Sequence, residues 1–177
     1  LYETYRPDQE HRTACPVGTV VSDVVALLQQ VNRDRPVTLR ADTREAQGIL
    51  PVPEGIVRQT VYNLVQNAAE VSPDGGTVEV RAWQEAGALC LAVTDEGPGV
   101  PAELRERIFE PFFSTKQRMT TGGMGLGLAL VSRSVQALGG SVEVGDGPGG
   151  RGARFLVRIP LAADPSGPAE AAGQARS

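Results

Sequence analysis

After Pro53 the chain places Ile56, Val57, Thr60, Val61, Leu64, Val65 and Ala68 at a period near 3.6, which commits the segment to an amphipathic helix with one face in a core. Proline is tolerated in the first turn of such a helix, so Pro53 marks its start. Asn63 and Asn67 are four residues apart and therefore point the same way, off the flank held by Val61, Leu64, Val65 and Ala68. Amide oxygens are hard, neutral ligands. They suit a magnesium ion that keeps several waters and takes its other contacts from phosphates. A pair of solvent-facing or capping asparagines is the plain alternative for this helix taken by itself.

Two downstream motifs weigh against that alternative. Asp95-Glu96-Gly97-Pro98-Gly99 closes an apolar run, and a carboxylate at a strand end can accept the amine hydrogen of adenine. Gly97 and Gly99 let the backbone turn sharply and approach a flat base. A tight turn with a solvated aspartate is the competing reading. Further on, Gly122-Gly123-Met124-Gly125-Leu126-Gly127-Leu128 opens a helix. Bare backbone N–H groups there can crowd around phosphate, aided by the positive end of the helix dipole. A glycine start dictated by packing alone would look similar. No lysine follows the glycines as in G-x-x-x-x-G-K-S/T, and no G-x-G-x-x-G follows a first strand, so the P-loop and dinucleotide folds are both excluded. Amide oxygens, a carboxylate and bare backbone, in this order, are what a magnesium-nucleotide site requires.

The remaining segments set the architecture. Residues 19–31 carry valines and leucines at helical spacing, VTLRA after Pro36 alternates as a strand does, and GILPV is a second, shorter strand candidate. TVEVRAWQE and ALCLAVTDE, joined by Ala86-Gly87, form a hairpin. A Gly- and Pro-rich passage over 97–123 encloses the short helix candidate AELRERI. GLGLALVSRSVQAL is a strong helix, and SVEVG and ARFLVRIP are closing strands. Strands and helices alternate without a strict βαβ rhythm. The expected fold is therefore α+β, an α/β sandwich of one mixed, mostly antiparallel sheet with helices packed on one face.

Composition narrows the function classes. Net charge is −4 with a pI near 5.1 and no basic cluster, so no nucleic acid is expected as a partner. The longest apolar runs are strand-length, short of the roughly 20 residues a membrane helix needs. LYETYRPDQE does not read as a signal peptide. Cys15 and Cys90 lack metal-ligand spacing, and Cys90, inside LCLAV, reads as a buried thiol in a reducing compartment. Among seventeen basic residues Lys116 is the single lysine. It ends FEPFFSTK, which holds three of the four phenylalanines. A segment that folds over a ligand needs such apolar anchors, and Lys116 could set a compact charge on a terminal phosphate; a solvated lysine is the alternative.

QTVYNLVQNAA, DEGPG, FEPFF, GMGLGL and GGRGARF, in that order, resemble the motif boxes of the catalytic ATP-binding domain of bacterial sensor histidine kinases. These belong to the superfamily shared with DNA gyrase, Hsp90 and MutL. The resemblance covers residues 19–161, with 1–18 expected to be a linker or the end of an upstream dimerisation region and 162–177 a disordered tail. It implies a Bergerat-type sandwich with ATP under a lid over residues 100–121. It also implies that Asn67 is the magnesium ligand, that Asn63 faces the phosphates, and that Asp95 reads adenine. Gly97, Gly99, Gly123, Gly125 and Gly127, with Leu126 and Leu128, shape the nucleotide pocket, and Asn63 and Lys116 carry the catalytic roles. ATP-hydrolysing relatives have a water-activating glutamate where this chain has Asn63, so transfer of the γ-phosphate to another nucleophile is expected.

Departures from the family pattern are Glu70-Val71, where many kinases have Lys-Tyr, and Ala153, where a threonine is usual. The resemblance further implies a phosphoacceptor histidine on a separate dimerisation domain, because His11 has no long helical pair around it. A response regulator receiver domain is the implied downstream partner. The domain alone is expected to be monomeric and cytoplasmic, within a homodimeric parent that can be anchored in the inner membrane. An anti-sigma-type serine kinase and a nucleotide-sensing pseudokinase module are the alternatives; FEPFFSTK favours the histidine kinase.

Overall fold

The computed structural model describes residues 14–113 and 125–162. Its elements in chain order are β1 (Ala14–Cys15), α1 (Val17–Val31), β2 (Thr38–Glu45), β3 (Leu50–Pro51), α2 (Glu54–Val71), β4 (Thr77–Glu85), β5 (Ala88–Thr94), α3 (Gly127–Ala137), β6 (Ser141–Asp146) and β7 (Ala153–Pro160). Five strands form one sheet in the order β2-β4-β5-β7-β6, while β1 and β3 make a separate two-stranded pair. Only β2 and β4 run parallel within the large sheet. Parallel neighbours need a long crossover, and α2 supplies it. Ala86 and Gly87 both have positive φ, 49° and 73°, which gives β4 and β5 the tight turn that matches strand twist.

One face of the sheet carries the core. Val78, Val80 and Ala82 of β4, Leu89, Leu91 and Val93 of β5, and Phe155, Val157 and Ile159 of β7 are all buried. Register places Leu91 opposite Val157 and Val93 opposite Phe155, so these side chains share that face. Against them pack Val20, Val21, Val24 and Leu28 of α1, Val57, Val61, Leu64 and Val65 of α2, and Val131 and Val135 of α3. Each fully buried leucine or valine contributes about 1.5–3 kcal/mol relative to exposure, which makes this layer the main stabilising term.

Long polar side chains cover the opposite face. Arg81 pairs with Glu45 at 2.5 Å and lies over the Trp83 ring at 5.3 Å, and Arg158 pairs with Glu85 at 2.7 Å. Beneath this cover Cys90 and Ala92 of central β5 are buried as well, and so the strand reads as a continuous apolar run. Burial pushes the Cys90 thiol above its ordinary range and that of Cys15 up to about 11, which keeps both as inert thiols at neutral pH.

Two expectations are corrected. The structured part reaches upstream of residue 19: Cys15 and Val17 are fully buried, β1 pairs with β3, and Val20 N–H bonds Pro16 O at 3.0 Å to start α1. The polar composition of 1–18 hides this, since the ordering comes from two apolar side chains. AELRERI is two 3₁₀ turns, Ala102–Leu104 and Arg107–Phe109. Between the two turns Arg105 bonds Val100 O at 3.1 Å and Asp146 Oδ1 at 2.7 Å, tying the passage to β6. Residues 163–177 of the expected tail, and His11, lie outside the described residues.

Replacing Leu64 by Ala opens a cavity between α2 and the sheet and is expected to cost about 2–5 kcal/mol in urea denaturation, whereas Leu130→Ala on the exposed side of α3 should cost less than about 1 kcal/mol.

Candidate functional site

A cavity of about 420 Å³ opens between α2, the end of β5 and the start of α3. Along α2 it is lined by Asn63, Gln66, Asn67 and Glu70, one continuous helical stripe that the apolar period leaves uncovered. Asn63 and Asn67 are half-buried and share this stripe as their spacing requires. The far wall is Gly125, Leu126, Gly127 and Leu128 at the first turn of α3, and Ile108 and Phe155 close the apolar side.

Asp95 stands at one end of the cavity and is only 2% exposed. Its Oδ1 accepts N–H bonds from Gly97 at 2.8 Å and from Ala153 at 3.1 Å. Both bonds fall on one oxygen, which leaves Oδ2 for a ligand donor. Burial raises the Asp95 carboxyl above its ordinary range, and the two N–H bonds oppose the shift. Its main chain is fixed too, because Asp95 N–H bonds Ala153 O at 2.9 Å and extends the β5–β7 pairing by one residue.

The glycines around Asp95 are there for space. At Gly97 a Cβ would sit 2.8 Å from Val71 O, at the C-terminal end of α2. Gly152, with φ +68°, passes so close that a Cβ would lie 1.8 Å from Asp95 O. Gly99, at φ +77°, likewise faces Gly152 O. At the other end Gly127 leaves room for the Asn63 side chain, whose Oδ1 would be 3.3 Å from a Cβ there. The N–H groups of the first α3 turn have no side-chain cap, so this end offers donors to an anion. The cavity thus has a carboxylate end at Asp95 and a donor end at Asn63 and α3. Asn63 and Val71 are eight residues apart, about 12 Å along α2.

Of the phenylalanines, Phe109 packs edge-on against Phe155 at 6.2 Å and Phe113 lies under the Arg107 guanidinium at 4.8 Å. Phe112 does not anchor anything: it is 72% exposed at φ +64°, and its N–H bonds Gly125 O at 3.1 Å. This bond and the close fit of Gly125 against Phe112 and Phe113 bring the two described ends of the loop together. Lys116 and Gly123 lie outside the described residues. The structure therefore brings together Asn63, Asn67, Asp95, Gly97, Gly99, Gly125, Leu126, Gly127 and Leu128.

Sequence reasoning misses Gln66 and the Ala153 N–H as site components, and it holds Gly152 only as part of the GGRGARF box, without its contact to Asp95. The signal for Gly152 is present in the glycine run before ARFLVRIP, but its partner is 57 residues earlier in sequence and is found only through strand pairing. Among the described residues no cluster of three or more His, Cys, Asp or Glu could hold a metal. The amide oxygens of Asn63 and Asn67, both in the cavity lining, are of the kind that suits a hard cation drawing its other ligands from a bound polyphosphate.

Comparison with known proteins bears on the family. Residues 53–163 match the family model described as histidine kinase-, DNA gyrase B- and HSP90-like ATPase. The sensor-like histidine kinase SenX3 of Mycolicibacterium smegmatis is 32% identical over 154 residues, 86% of this chain and 40% of that protein. The solved mycobacterial sensor histidine kinase MprB is 30% identical with a TM-score of 0.70, the match covering 85% of this chain and 97% of that one. Full-length ShkA, solved in complex with AMPPNP, is 32% identical with a TM-score of 0.72 over 85% of this chain and 31% of its own. The chain spans less than half the length of the curated relatives it matches. Among the described residues no helix is long and apolar enough to cross a membrane.

Two outcomes test the site geometry. Gly152→Ala should displace Asp95 and abolish nucleotide binding, read by calorimetric titration, since neither the space nor the φ admits a methyl. For Asp95 the raised carboxyl fixes a sign: its protonated form favours the folded state at low pH, and that contribution is lost as pH rises through the raised folded value. The stability of ligand-free Asp95→Asn relative to the unaltered protein should therefore increase from acid to neutral pH in urea titrations.

Proposed function

Because the chain belongs to the family of histidine kinase-, DNA gyrase B- and HSP90-like ATPases, we infer that it is the ATP-binding catalytic domain of a sensor histidine kinase, donating the γ-phosphate of Mg-ATP to a histidine on a dimerisation domain. The observation that carries this reading is Asp95: a buried carboxylate with one oxygen fixed by two N–H bonds and the other left to the cavity. Such a group recognises an exocyclic amine, and adenine presents one. Gly97 and Gly99 allow the backbone to approach the base. At the donor end Gly125 and Gly127 and the first turn of α3 face the phosphates, with Asn63 beside them.

Asn67 is the residue proposed to hold Mg²⁺, which when bound screens the phosphates and polarises the one to be transferred. Lys116 is assigned a place on the terminal phosphate. Asn63 stands where hydrolysing relatives carry a glutamate, and a neutral amide does not deprotonate water. The phosphate is thus kept for a protein nucleophile. The proposed domain is residues 19–161, extended upstream to Ala14 by the packing of Cys15 and Val17. A receiver domain of a response regulator is the proposed acceptor of the next transfer, and the domain is assigned to the cytoplasm. The kinship to solved sensor kinases favours a histidine acceptor over a serine one.

Incubating the domain with γ-labelled ATP, Mg²⁺ and a separately produced dimerisation domain should label that partner on a bond that is stable to alkali and labile to acid. Label on a serine, or ATP turnover without any label on protein, would overturn the assignment. Asp95→Asn should weaken ATP binding about 10–100-fold, the loss of a charge-assisted hydrogen bond.

A further inference from the structure

Gln66 is half-buried on the cavity stripe of α2, and a chain of hydrogen bonds from the end of α1 fixes the sense of its amide. Asn32 closes α1 and is only 7% exposed. Its Nδ2 donates to Leu28 O at 2.9 Å and to Gln66 Oε1 at 3.3 Å. Gln66 Nε2 donates in turn to Glu70 Oε1 at 3.4 Å. The polarity of this chain is forced. A backbone carbonyl only accepts, so Asn32 must turn its nitrogen to Leu28 O, and that nitrogen must meet an oxygen on Gln66. The Gln66 amide therefore sits one way only, with its oxygen toward α1 and its nitrogen toward Glu70, which also lines the cavity. An amide nitrogen carries two N–H donors, and the bond to Glu70 uses one of them.

The second donor stands at mid-span. Gln66 is three residues past Asn63 and five before Val71, about 4.5 Å and about 7.5 Å along α2. The donor end at Asn63 and the carboxylate end at Asp95 thus lie to either side of it. If the cavity is a Mg-ATP site, a reading on which this inference rests, the middle is spanned by the sugar and the α-phosphate. Both present acceptor oxygens. We propose that Gln66, its amide oriented by Asn32, is a further nucleotide-binding residue whose second N–H donates to a ribose hydroxyl or to an α-phosphate oxygen. Asn32 is a positioning residue, since it acts on the nucleotide only through the sense of the Gln66 amide. The buried end of α1 thereby reaches a cavity to whose described lining α1 contributes no residue.

The test is calorimetric titration with ATP, 2′-deoxy-ATP and 3′-deoxy-ATP in Mg²⁺, for the unaltered protein, Gln66→Leu, Asn32→Asp and the double variant. Gln66→Leu should bind ATP about 3–10-fold more weakly, the loss of one neutral hydrogen bond. Asn32→Asp sets an acceptor against Gln66, turns its amide over and should weaken ATP binding by a similar factor; Gln66→Leu added to it should cost no more. The deoxy nucleotides separate the two acceptors. Where a hydroxyl is bound, the unaltered protein discriminates against one deoxy nucleotide by that same factor and Gln66→Leu does not; where the α-phosphate is bound, Gln66→Leu weakens all three alike. Gln66→Met replaces Gln66→Leu, and Asn32→Leu replaces Asn32→Asp with a smaller loss, should either first variant fail to fold. ATP bound within about twofold of the unaltered protein by the Gln66 variant overturns the inference and leaves the nucleotide assignment intact. A loss that the Asn32 variant does not share overturns the positioning role of Asn32. Failure of the unaltered protein to bind ATP overturns the nucleotide assignment with it.

Discussion

The junction of β5 and β7 at Asp95 is the constraint on which the site depends. Asp95 engages the start of β7 three ways: its N–H bonds Ala153 O, its Oδ1 accepts from Ala153 N–H, and its carbonyl lies close against Gly152. A buried carboxylate is costly in itself, as the direction of its titration shows, and it persists because its alternative partners are fixed backbone donors. The strand pairing that builds the core thereby also aims the side chain. Were β7 to slip by one residue, Gly152 would no longer face Asp95, and the adjoining residues Arg151 and Ala153 could not pass at that distance.

The rest of the cavity follows from how α2 crosses the sheet. Its apolar stripe has one solution, facing Leu91, Val93 and the β4 valines, and that choice fixes where Asn63, Gln66, Asn67 and Glu70 emerge. The 12 Å that separates Asn63 from Val71 along the helix then separates the donor end from the carboxylate end. Core and site are two faces of a single helix, so a sequence change that rotates one displaces the other.

This coupling explains what is legible in the sequence. The period of α2, the alternation in β4 and β7, and the glycines beside Asp95 are local patterns, and each leads to the observed element. The short strand Ala14–Cys15 and the 3₁₀ turns at 102–109 have partners distant in sequence: Cys15 packs into the core and Arg105 reaches Asp146. Phe112 illustrates the limit differently. Composition groups it with Phe109 and Phe113, yet its positive φ turns it outward while the other two find ring and guanidinium partners. Gly152 and Gln66 act through residues distant in sequence, which no spacing rule encodes.

The position of the acids bears on what the site does with a bound triphosphate. Glu70 is seven residues from Asn63, about 10 Å along α2, and Asp95 lies further still toward the Val71 end. On the proposed reading the γ-phosphate sits by Asn63 and the first turn of α3, where the described lining offers donors and a neutral amide and neither carboxylate. Among the described residues, water that reaches this end finds groups that stabilise the phosphate and no carboxylate in the lining beside it to take its proton. Of the acids that are present, Asp95 serves the base on this reading. Placing them away from the reacting phosphorus separates holding the nucleotide from consuming it, which is the property a phosphate donor to another protein group requires.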